Sequence, residues 1–209
     1  LGARFTKWRA VIRISDGLPS KNCIQLNAHA LARYAALCQQ AKMVPIVEPE
    51  VLMDGSHDID RCFDVTSEVL KEVFAELNNQ KVALNGIVLK PNMVISGMDA
   101  ANRADIPTVA SATVKCLSEN VPDEVPGIAF LSGGQTSEEA TGHLNAMNEM
   151  GPHPWQLTFS YGRALQAEPL NAWSGEDGNI PAAQESFIKR SRLNSLARTG
   201  NYHPQMEEA

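Results

Sequence analysis

Five short apolar runs alternating with amphipathic helical stripes are what most constrain this chain. The runs over 4–14, 44–51, 86–93, 127–133 and 155–161 are dense in Val, Ile, Leu, Phe and Trp, as strands buried on both faces are. Between them, Ile24, Ala28, Leu31, Ala35 and Cys38 recur at helical spacing, and so do Ile59, Phe63, Thr66, Leu70, Val73 and Leu77. Pro107 suits the first turn of a third helix. Thr136, with Glu139 three residues on, reads as a capping box opening a fourth. A long last helix is predicted over 179–198, a loop over the polar stretch 168–177, and a loose tail after Gly200.

Strands alternating with helices predict a parallel sheet with right-handed crossovers. Five βα units can build an open, doubly wound sheet. A closed (β/α)8 barrel takes eight units and about 250 residues. No GxGxxG follows the first strand, which weighs against a dinucleotide fold.

Bulk properties exclude several function classes. The 209 residues are 44% apolar and 20% charged, the composition of an ordinary globular domain. A net charge of −6 offers no basic footprint for nucleic acid or an anionic membrane, although one site within an acidic protein can still be locally positive. There is no apolar run of about 18 residues and no secretory signal pattern. Cys23, Cys38, Cys62 and Cys116 form no CxxC pair and fall in helical patterns, so reduced thiols are expected. The five histidines lack any ligating spacing, so no metal site is expected. The start at Leu1 on a strand-like segment leads us to expect a partial chain.

The polar residues gather where chemistry would be. Lys7 and Arg9 lie in the first run, Glu48 and Glu50 close the second, Lys90 the third, Ser132 the fourth, and Ser160 and Arg163 the fifth. In parallel sheets and barrels, reactive groups collect at the C-terminal strand ends, so these residues point to one shared site. Lys90 has two readings. It is either a lysine that has just cleared the core into solvent, or an amine whose burial near a second cation such as Lys7 suits it to attack a carbonyl. Glu48 and Glu50 are two apart and so share one strand face. They read as a general acid/base pair or as partners of Lys7 and Arg9. Ser132, Gly133 and Gly134, with Gly162 and Arg163, fit anion recognition by backbone N–H groups and helix N-termini. Trp8, Trp155 and Trp173 read as packing residues, His57 as a surface loop residue, and Tyr161 as packing or catalytic.

GARFTKWR, PIVEPE, LKPNM, FLSGGQ and TFSYGRALQ stand in order, with Lys7, Glu48, Lys90 and Ser132 separated by 41, 42 and 42 residues. Over nearly the whole chain this resembles class I fructose-1,6-bisphosphate aldolase of the eukaryotic type. The resemblance implies a (β/α)8 TIM barrel, of which the chain supplies about the last five βα units, with domain limits of 1–200 and a flexible tail over 201–209. It also implies that Lys90 forms a Schiff base with the ketose, so that neither metal nor other cofactor is needed. Glu48 then matches the acid/base glutamate, Glu50 its neighbour, and Lys7 the lysine that polarises the site. Arg9 matches a basic residue at a substrate phosphate. Ser132, Gly133, Ser160, Gly162 and Arg163 fall on the strand-end motifs that bind the phosphorylated ketose.

A cytoplasmic homotetramer acting on a bisphosphate ketose in glycolysis and gluconeogenesis follows from the same resemblance. Alternatives are a catalytically silent scaffold and a Schiff-base lyase for another phosphosugar. The family's first three strands, with an aspartate and a lysine of its site, have no match here, and neither does its terminal tyrosine. A five-unit piece by itself is therefore expected to be poorly stable, with two open strand edges, and inactive.

Overall fold

A computed structural model describes residues 2–208, in which strands and helices alternate along the chain. The strands are β1 (Phe5–Ile12), β2 (Val44–Val51), β3 (Val88–Leu89), β4 (Gly127–Phe130) and β5 (Gln156–Phe159). The helices are α1 (Lys21–Gln40), α2 (Ile59–Asn79), α3 (Ile106–Asn120), α4 (Ser137–Glu149), α5 (Arg163–Trp173) and α6 (Ile180–Ala197). The strands pair in parallel in the order β1-β2-β3-β4-β5. This is the arrangement of five consecutive units of a (β/α)8 barrel.

Local chemistry sets where each helix begins. The side chains of Ser20, Asp58 and Asp105 accept the backbone N–H groups of Cys23, Arg61 and Thr108 at 3.2, 2.8 and 3.0 Å. Each satisfies a donor that the helix start leaves free, a contribution of about 1 kcal/mol. The capping box is present: Glu139 N–H donates to Thr136 Oγ1 at 3.1 Å, and Thr136 N–H to Glu139 Oε2 at 2.9 Å. The predicted stripe of α1 is the face it buries, and that of α2 is buried from Thr66 to Leu77.

The core lies between the sheet and its helices. Ile12, Val47, Leu89, Ile128 and Phe130, on the helix-facing side of the strands, are buried against residues such as Leu31, Leu70 and Leu144. Burying each Leu, Ile or Phe contributes about 1.5–3 kcal/mol relative to exposure. The opposite face carries the alternate positions, among them Lys7, Arg9, Glu48, Glu50 and Lys90.

Several expectations need correction. The first part of the stretch expected as a loop, 168–173, belongs to α5, which runs through Pro169 because it packs along α6. Strands β3, β4 and β5 are shorter than the apolar runs that contain them. Trp155 is buried and donates its ring N–H to the Pro122 carbonyl at 3.0 Å. Trp8 and Trp173 are largely exposed instead, Trp8 lying with its ring centre 5.9 Å from that of Tyr34. His57 lies in a loop as expected but is half-buried, with both ring nitrogens covered, and burial lowers its pKa. Tyr161 is a packing residue whose hydroxyl donates to the Ala140 carbonyl at 2.8 Å.

The stretch after Gly200 is docked. Tyr202 is buried, Pro204–Glu207 forms a 3-10 turn, and the buried Arg190 holds both carboxylate oxygens of Glu207 at 2.8 Å. Polar pairs hold it there, and pairs leave no periodicity to read. The four cysteines are free, and burial pushes the thiols of Cys62 and Cys116 up to about 11. Among the described residues, no helix is long and apolar enough to cross a membrane.

Candidate active site

Parallel register brings the strand-end residues together. Arg9 stands opposite Glu48 and Val11 opposite Glu50. Each basic side chain of β1 leans one pair further along and meets a glutamate. Lys7 Nζ lies 2.9 Å from Glu48 Oε2, and Arg9 Nε donates to Glu50 Oε2. The Lys7 contact is close enough for an ion pair, but its angles fall short of a hydrogen bond. Both readings of the acidic pair therefore meet in one geometry, since each glutamate is ion-paired and each faces the same side of the sheet.

Lys90 completes the cluster. Its backbone N–H continues the β2–β3 ladder to the Val47 carbonyl at 2.8 Å, which aims its side chain at the inner face. Its Nζ lies 3.1 Å from Glu48 Oε1. One carboxylate thus stands between two ammonium groups. Lys90 is only 9% exposed and Glu48 only 2%, so the reading of a lysine escaping into solvent does not hold. Buried charges at this spacing demand one another, and removing the carboxylate, which would leave the Lys90 ammonium buried alone, is the kind of change that costs about 3–5 kcal/mol. Asn92, two residues on, was not singled out from sequence. It is buried, accepts the Val51 N–H at 3.0 Å and donates to Thr66 at 3.1 Å, tying the end of β2 to the segment after Lys90 and to α2.

The glycine loop lies beside the second glutamate. A methyl group on Gly133 would sit 3.5 Å from Glu50 Oε1. Ser132 is buried and its Oγ accepts the Ala164 N–H from the first turn of α5 at 3.4 Å. Gly162 caps that helix with no side chain in the way. Ser160, Gly162 and Arg163 are exposed at the strand end and helix start, with Ser160 N–H bonded to the Phe130 carbonyl at 2.9 Å. Arg163 lines a cleft of about 290 Å³ with Arg103, Gly134 and Thr136. Arg103 was also missed from sequence, because it lies in an aperiodic segment between β3 and α3. The ten expected site residues lie on the five strands or directly after them, Lys7 and Arg9 within β1 rather than at its C-terminal end. Among the described residues, no group of three or more His, Cys, Asp or Glu side chains is arranged to hold a metal ion.

Behind the loop, His143 of α4 is 3% exposed and its Nδ1 lies 2.8 Å from Gln135 Oε1. Burial, opposed by Glu139 and aided by Arg103, lowers its pKa from 6.5 to about 4. The folded value lies below the unfolded one, so the unfolded chain binds more protons between them. The stability from a neutral His143 is therefore present above about pH 6.5 and is lost as pH falls through about 4. The loss is at most about 3 kcal/mol. Urea unfolding of the wild type across this window should show that loss, and His143→Gln should flatten it. An unchanged slope in the variant would remove His143 as its source.

Comparison with known proteins gives one consistent result. The family model of class-I fructose-bisphosphate aldolase matches residues 1–209. The chain is 56% identical over 202 residues to fructose-bisphosphate aldolase B of Gallus gallus, covering 96% of this chain and 56% of that relative. It is 53% identical over 203 residues to a probable fructose-bisphosphate aldolase class 1 of Xanthomonas axonopodis pv. citri, covering 97% and 61%. The solved fructose-bisphosphate aldolase of Plasmodium falciparum, in complex with TRAP and a small molecule inhibitor, superposes with a TM-score of 0.94 at 50% identity. That match covers 97% of this chain and 59% of the other. The chain thus spans a little over half the length of these relatives.

Proposed function

The chain belongs to the class-I fructose-bisphosphate aldolase family, and from that premise we propose that the protein cleaves fructose 1,6-bisphosphate reversibly through a Schiff base on Lys90. The observation that carries this is the buried Glu48–Lys90 pair, 3.1 Å apart, with the exposed Lys7 ammonium 2.9 Å from the same carboxylate. The Lys90 amine adds to the C2 carbonyl. Glu48, paired with Lys90, takes the proton that frees this amine and returns it to the carbinolamine hydroxyl, so that water departs and an iminium is left. The C3–C4 bond then breaks and its electron pair enters the iminium, while the C4 hydroxyl gives its proton to the Glu48 carboxylate and leaves as the aldehyde of glyceraldehyde 3-phosphate. The remaining enamine is protonated at C3 and hydrolysed to dihydroxyacetone phosphate and free Lys90.

The remaining residues serve binding. Arg103 and Arg163 line one cleft after β4 and β5, and Arg9 stands on β1, so cationic groups are available for the phosphates of a bisphosphate ketose. Ser132, Gly133, Ser160 and the Gly162–Arg163 start of α5 take one phosphate. Arg9 belongs at the other, and Glu50 keeps its guanidinium in place. The chemistry assigned to Lys90 uses no metal. A homotetramer working in glycolysis and gluconeogenesis completes the reading, and its cytoplasmic location is supported by the cytosolic relative from Arabidopsis thaliana. A second reading, a protein-binding scaffold, is favoured only by the TRAP complex of the Plasmodium relative.

Borohydride trapping tests the reading. The protein at full length is incubated with dihydroxyacetone phosphate, reduced, digested and examined by mass spectrometry. The expected product is a stable adduct on the peptide carrying Lys90. A folded protein without that adduct would put the scaffold reading first.

A further inference from the structure

The loop after β4 makes a tight turn closed by one backbone hydrogen bond of its own. Gln135 N–H bonds to the Ser132 carbonyl at 3.2 Å, and Gly134 between them has φ +74°. Glycine is required there twice over. The left-handed backbone disfavours a side chain, and a Cβ would lie 2.6 Å from that of Met53. The carbonyl of Gly134 is free of the turn's own hydrogen bond and accepts from outside the loop.

Arg103 is the donor. One terminal nitrogen, Nη2, donates to the Gly134 carbonyl at 2.9 Å, and the other, Nη1, to Glu139 Oε1 at 3.3 Å. The second oxygen of Glu139 is already engaged by Thr136 N–H in the capping box. The guanidinium therefore joins the turn to the first turn of α4 through a carboxylate that is itself fixed. A planar fork can span two acceptors in this way, whereas a lysine is a point charge.

We propose that Arg103 is a positioning residue of the phosphate loop. By holding the Gly134 carbonyl it keeps Ser132 and Gly133 in the conformation that receives a substrate phosphate, beside Arg163. This rests on the reading of that loop given above.

The test uses the full-length protein with inorganic phosphate as the probe, and reads amide hydrogen exchange of the loop by mass spectrometry. Phosphate is expected to protect the loop amides in the wild type. Arg103→Met should raise the half-protecting phosphate concentration by about tenfold, the scale of one charge-assisted hydrogen bond. Arg103→Lys, which keeps the charge and loses the fork, should recover only part of this. Glu139→Gln, which keeps a capping acceptor, should shift it in the same direction by less. In turnover, Arg103→Met should raise KM for the bisphosphate with kcat within about twofold.

Equal half-protecting concentrations in wild type and Arg103→Met would overturn the proposal. So would full recovery by Arg103→Lys, which would mean that charge alone matters. Absence of phosphate protection in the wild type would also overturn it. Failure of the aldolase reading itself would show separately, as a wild type that forms no trapped adduct on Lys90.

Discussion

Lys90→Met should abolish cleavage and the trapped adduct together, while leaving the fold in place. Methionine is close to lysine in volume and suits a position that is 9% exposed and walled by strands. Glu48 keeps an ion-pair partner in Lys7 at 2.9 Å, so no carboxylate is left buried alone. The protein should therefore melt cooperatively, near the wild-type temperature. Catalysis has no such reserve. Without the amine there is no iminium to accept the electrons of the C3–C4 bond, and loss of a covalent nucleophile in other enzymes costs on the order of 10⁴-fold or more in kcat. Turnover of fructose 1,6-bisphosphate and borohydride labelling with radioactive dihydroxyacetone phosphate are the two measurements. Retained turnover in a variant that no longer labels would show that the adduct lies off the reaction path.

Glu48→Gln separates the two roles that its position allows. As a counter-ion it holds Lys7 and Lys90 apart; as an acid/base it moves protons. Glutamine keeps the shape and an acceptor oxygen but cannot transfer the proton. If Glu48 acts as the acid/base, kcat should fall by about 10²–10⁴-fold while Lys90 can still be trapped, more slowly, by borohydride. The variant should also be less stable, because two ammonium groups then face each other with no carboxylate between them. Lys7→Met in the same background removes that repulsion and should restore stability without restoring kcat. A Glu48→Gln protein whose kcat stays within a few-fold of wild type would reduce Glu48 to a counter-ion.

Much of the architecture was legible because it is written in periodicity. The stripe from Ile24 to Cys38 and the stripe from Thr66 to Leu77 are the faces that α1 and α2 bury, and the Thr136–Glu139 box opens α4 as read. The extent of α5 was not legible. Pro169 and its acidic surroundings argue locally for a loop, and only packing along α6 overrides them. The tail escaped in the same way, since the hold of Arg190 on Glu207 is a contact between residues 17 apart in sequence with no pattern around either.

For the site, the sequence determined the inventory and its direction. Polar residues closing four of the five apolar runs must collect at one end of a parallel sheet, and Glu48 and Glu50 must share a face because a strand has a period of two. What it left open was partnership. Whether Lys90 reaches solvent or is buried beside Glu48, whether Lys7 faces Lys90 directly or across a carboxylate, and that Arg103 braces the Gly134 turn were all decided by tertiary structure. The reason is physical. Periodicity along a chain records which face a side chain occupies. Ion pairs between strands depend on register, lean and the approach of loops distant in sequence, and those exist only once the sheet has assembled.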